Sequence, residues 1–119
     1  MKKLLVLAVT LMLGAIVLFA QSKPRVRTFT GAIMDSQCAT QGNHDAGYKV
    51  TATNTAKDCT LACVKSGAQF VLYNSGRKLT YKLDDQEKPR DFAGDNVKVI
   101  GTYDSSTKTI QVEKIEAAK

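Results

Sequence analysis

The sequence lacks every short cysteine signature of an established chemistry. Its three cysteines form no C-x-x-C pair, and the closest two, Cys59 and Cys63, are followed by Val64, so covalent haem attachment through C-x-x-C-H is excluded. The C-x-x-x-C spacing also departs from thioredoxin-like redox centres, and the paired short knuckles of zinc ribbons are missing. No block of like charge exceeds two or three residues, so the 17 basic residues read as a solvated surface and a nucleic-acid partner is not expected. Nor do serine, histidine and carboxylate residues form a nucleophile or acid/base pattern. Asp35 and Asp45 come nearest to a carboxylate pair, but their spacing fixes no separation, and neither is assigned an acid/base role.

The N-terminus has the three parts of an export signal. Lys2 and Lys3 precede an uncharged, largely apolar run of sixteen residues, Leu4 to Phe19, and Ala20 stands before Gln21-Ser22-Lys23. Cleavage after Ala20 is expected, although Leu18 is bulkier than the usual small residue two positions earlier. The run is short of the ~20 residues that span a bilayer, so a cleaved signal is favoured over an anchor. No cysteine precedes Cys38 to accept a lipid. The expected organisation is a signal peptide at 1–20, a linker and the start of strand one at 21–27, and a single domain at 28–116. Removing residues 1–20 leaves 99 residues with a net charge of +4, enough for one modest core. A periplasmic or secreted monomer with no stable membrane insertion is expected.

Along the remaining chain the patterning is that of strands. Residues 26–34 alternate Phe29, Gly31 and Ile33 against Thr28, Thr30 and Ala32, with the glycine suited to a bend or a close approach. Residues 68–74 and 78–83 flank Asn74-Ser75-Gly76-Arg77 and read as a hairpin. A second hairpin joins 96–103 to 109–115 across Asp104-Ser105-Ser106-Thr107, and residues 84–94, with Pro89 and Gly94, have room for one helical turn. Thr55-Ala-Lys-Asp58 reads as a capping box opening a helix of about three turns that Gly67 closes. Residues 39–54 show no apolar periodicity and are expected as a long loop, mobile or tied down by something. Five strands and one helix predict a mainly β fold, a small OB-like Greek-key barrel, with a twisted antiparallel sheet carrying one packed helix as the alternative. Its expected core is Ile33, Phe70, Leu72, Leu79, Leu83, Val97, Val99, Ile110 and Val112.

The chemistry is concentrated between residues 35 and 67, where all three cysteines and the one histidine lie: Cys38, His44, Cys59 and Cys63. On a helix Cys59 and Cys63 are i and i+4 neighbours, so both sulfurs leave the same face, a geometry better suited to chelation than to a mutual disulfide. One reading is a disulfide from Cys38 to Cys59 or Cys63. It would close a loop of 22 or 26 residues and stabilise the fold by roughly 3 kcal/mol on the chain-entropy model. It leaves an odd thiol. A second reading makes Cys38, His44, Cys59 and Cys63 a tetrahedral Cys3His site for Zn²⁺, with Cu⁺ as the soft-metal alternative. A third is thiol–disulfide oxidoreductase chemistry at Cys59, near a helix N-terminus.

Three segments, Gly31-Ala-Ile-Met-Asp35-Ser-Gln-Cys38, Cys59-Thr-Leu-Ala-Cys63-Val-Lys-Ser-Gly67 and Val97-Lys-Val-Ile-Gly101-Thr, resemble a family of short exported bacterial proteins known only as a domain of unknown function. The resemblance runs over 28–116 and its mark is Asp-x-x-Cys, a histidine and a C-x-x-x-C helix. Family members often carry a histidine close before the first cysteine of that helix, where this chain has Asp58. The resemblance therefore implies Cys38, Cys59 and Cys63 as shared residues and does not extend to His44. The closing hairpin also resembles that of exported OB-type barrels. The function expected overall is an exported, non-enzymatic binding or structural module stabilised by a disulfide, with metal binding and thiol oxidoreduction as alternatives.

Overall fold

The alternating segment after Arg25 forms β1 (Val26–Asp35) in a computed structural model that describes residues 23–118. The expected signal peptide lies outside the described residues. β1 serves two partners in succession. Val26 to Ala32 pair antiparallel with β4 (Asn96–Asp104), and Ala32 to Asp35 pair antiparallel with β2 (Phe70–Asn74). The handover falls at the glycine expected to bend or approach closely: a Cβ at Gly31 would stand 2.5 Å from the Tyr73 carbonyl oxygen.

Both expected hairpins are present. β2 pairs with β3 (Leu79–Leu83), their turn held by the Asn74 side chain, which accepts from Arg77 N at 2.9 Å and donates to Thr30 O at 3.0 Å. β4 pairs with β5 (Thr109–Ala117) across a bulge at Ile100/Gly101. The order β1-β2-β3-β5-β4 closes on itself through a parallel seam of only two residue pairs, Lys82 with Thr109 and Leu83 with Ile110. The result is the expected mainly β fold, five strands closing in a ring whose short seam keeps it from being a regular barrel. A 3-10 turn at Lys88–Phe92 occupies the stretch with room for one helical turn. Before it, Gln86 completes the edge of β2, accepting from Phe70 N at 2.8 Å and donating to Phe70 O and Leu83 O.

The ring interior holds Ile33, Phe70, Leu72, Leu83, Val97, Val99 and Ile110, as expected, joined by Ala93 and Ile115. Burying each large side chain contributes about 1.5–3 kcal/mol. Two expected members differ. Leu79 is 44% exposed because β5 reaches β3 only at Lys82 and Leu83, leaving the start of β3 uncovered, and Val112 is half-buried.

Residues 36–69 fold over the outer face of β1 and β2. The expected single helix is present as α3 (Ala56–Lys65), capped by Thr55, whose hydroxyl accepts from Asp58 N at 3.1 Å. The expected loop 39–54 is instead largely helical: α1 (Ser36–Gln41) and α2 (Asp45–Thr51) precede α3. Their apolar contacts run through cysteine and glycine, so no aliphatic periodicity announces them. α1 ends at Gly42 in the left-handed region (φ 74°) and is tied to the residue before β2 by Ser36 N donating to Gln69 O at 2.8 Å. Under the helices a second cluster gathers Met34, Cys38, Ala39, Cys59, Cys63 and Val71. β1 and β2 are thus buried on both faces where they pair, Ile33 and Leu72 facing the ring and Met34 and Val71 the helices. None of the described helices is long and apolar enough to cross a membrane.

Candidate metal centre

The last residue of β1 begins the site. Asp35 caps α1: its Oδ1 accepts from Gln37 N at 3.1 Å and from Cys38 N at 2.9 Å, which fixes the carboxylate at the turn from strand to helix. Cys38 follows in the first turn of α1. Cys59 and Cys63 project together from α3, as their i, i+4 spacing requires. One ligand atom from each of Asp35, Cys38, Cys59 and Cys63 lies within 4.8 Å of all the others. All four residues are buried, Asp35 and Cys59 completely.

A tetrahedron of sulfurs around one ion with bonds of about 2.3 Å has edges of about 3.8 Å, so this spacing suits a single ion after a small contraction. Charge and hydrogen bonding point the same way. Asp35 Oδ2 is buried with no hydrogen-bond partner, a costly condition for a carboxylate oxygen. Burial first, and then the Asp35 carboxyl beside it, push the Cys38 thiol well above its ordinary value. The same two causes push Cys63 up to about 11. The pocket disfavours packed anions, and a dication at its centre would reverse that preference and give the carboxylate a charge partner.

α2 forms the outer wall. Its Gly47 lies directly on the sulfurs: a Cβ there would stand 2.6 Å from Cys59 Sγ and 2.7 Å from Cys38 Sγ. Only a residue without a side chain lets the helix pack this closely.

The three cysteines named from the sequence therefore come together, and His44 does not join them. It precedes α2 as its N-terminal cap residue, half-buried and stacked on Tyr48 at 5.6 Å between ring centroids. The backbone at Gly47, not the imidazole, is what α2 brings to the sulfurs. The expected disulfide is absent, all three cysteines being free. Cys59 and Cys63 rise in parallel toward Cys38, so three sulfurs converge on one point instead of two closing into a bond. Sequence reasoning missed Asp35 as a site residue; the signal available was Asp-x-x-Cys, an N-cap pattern that places a carboxylate beside the cysteine three residues on. Gly47 carried no signal.

A five-stranded ring with a buried carboxylate and three thiols under a helical cover defines the class. Residues 64–118 match the family described as "Protein of unknown function (DUF5818)", a segment running from within α3 through β5. It includes none of Asp35, Cys38, Cys59 and Cys63 and omits β1, so the match supports an uncharacterised domain family for the segment that carries β2 to β5 and does not speak to the cluster. No curated protein and no solved structure matches the chain.

Proposed function

We propose that this protein is an exported, non-enzymatic metal-binding module that holds one Zn²⁺ through Asp35, Cys38, Cys59 and Cys63. The observation carrying the proposal is the fully buried Asp35 carboxylate, one oxygen of which lies in a group with three sulfurs inside 4.8 Å. A carboxylate among thiolates is a mixed hard and soft set, which suits borderline Zn²⁺ better than Cu⁺. Cys59, the candidate nucleophile of an oxidoreductase, is completely buried, whereas a reactive thiol needs solvent access. Export rests on the composition of residues 1–20, and mass spectrometry of the natural product would read its N-terminus near Gln21.

The direct test is elemental analysis with thiol counting on protein purified without chelator. One equivalent of zinc, with all three thiols recovered on denaturation, is the expected result. Loss of two thiols with no metal would return the site to the disulfide expected from the sequence.

A further inference from the structure

A bound ion would be almost completely enclosed, yet the enclosure is uneven. Cys59 has no exposure, whereas Cys38 and Cys63 keep 4% and 6%, and both line a cavity of about 100 Å³. Its other walls are Gln37 and Gln41 of α1 and Ala46, Gly47 and Val50 of α2. No charged side chain lines it, and Val50 at its rim is 85% exposed. The space admits a few waters or a compact side chain. Neutral amides and small apolar walls suit an uncharged soft ligand better than a hydrated ion.

We propose that this cavity is a ligand port through which a cysteine-sized monothiol reaches the zinc on its Cys38 and Cys63 side and withdraws it, making the site one that transfers its metal. The inference rests on the zinc site proposed above. In the step itself the entering thiol forms a sulfur–zinc bond and gives its proton to the Sγ of the cavity-facing cysteine whose bond to zinc breaks. Zinc stays divalent and no electrons move, so neither oxidant nor reductant is required. Cys59 and Asp35, away from the port, hold the ion until further thiols complete the withdrawal.

The test uses the zinc-loaded full chain and follows release to an excess of chromogenic chelator as free cysteine is added. Val50→Trp and Ala46→Met each place bulk at the cavity from an exposed position, so folding is preserved. Cysteine should speed release from the unaltered protein, and each variant should cut that acceleration by about tenfold while zinc affinity at equilibrium stays the same. Equal acceleration in the variants, or none in the unaltered chain, overturns the port. So does a fall in affinity that matches the fall in rate, since the cavity would then be packing for the site and not a route to it. A chain that takes up no zinc defeats the metal site itself, and the loading step registers that before any rate is measured.

Discussion

Gly47 and Cys59 meet so closely that a Cβ on the glycine would stand 2.6 Å from the sulfur, which makes α2 a wall of the thiol cluster and not a passing loop. Gly47→Ala should therefore push α2 off the sulfurs, destabilising the fold by about 1–3 kcal/mol as overpacking does. Zinc affinity should fall by about 10-fold or more, as for other residues that support ligands. Denaturant unfolding and competition with a zinc indicator measure both, with exposed Val50→Ala as the neutral control.

Asp35 has two roles that substitution can separate. Asn keeps an oxygen to cap α1 but removes the charge, so Asp35→Asn should retain the helix while zinc affinity drops at least about tenfold. Asp35→Ala should lose the cap as well, at a further cost of about 1 kcal/mol in the metal-free protein. Because the Asp35 carboxyl helps hold Cys63 at about 11, ultraviolet titration of thiolate absorbance in Asp35→Asn should show that thiol moving down. An unmoved titration would mean that burial and the neighbouring Cys59, not the carboxyl, set it.

The response to pH should have opposite signs with and without zinc. In the metal-free protein Cys63 binds its proton up to about 11, against 9.0 for an ordinary thiol, so the folded state holds more protons than the unfolded between those values. The stabilisation from this group is complete below 9.0 and is lost as pH rises through about 11. Cys38 adds to the same trend. Zinc displaces those protons, so its affinity should climb as pH is raised above neutral. Thermal melts of the two forms across this window give the comparison.

Gln86 tests the ring apart from the site. Its amide makes three hydrogen bonds, two to the Phe70 backbone and one to Leu83 O. Gln86→Ala leaves these backbone groups without partners and should cost about 1–3 kcal/mol in stability. Zinc stoichiometry should stay at one. Loss of zinc binding on this change would show that the site depends on the ring edge.

Much of the molecule was legible in local pattern. Alternation at 26–34 placed β1, the Asn-Ser-Gly and Asp-Ser-Ser turns placed both hairpins, and Thr55 with Asp58 placed the start of α3. The i, i+4 spacing put Cys59 and Cys63 on one face before any tertiary contact was considered. These features depend on backbone periodicity and on hydrogen bonds a few residues apart, which a sequence states directly. What only the tertiary structure decided is convergence. The pairing of β1 with β2 brings the end of β1, and so Asp35 and Cys38, over α3, while α2 folds back to lay Gly47 on the sulfurs and His44 stacks on Tyr48 outside the four-residue group. Leu79 looked like a core residue until the short seam with β5 left it uncovered. Which groups share a pocket follows from contacts between elements distant in the chain, and such contacts leave no period in the sequence to read.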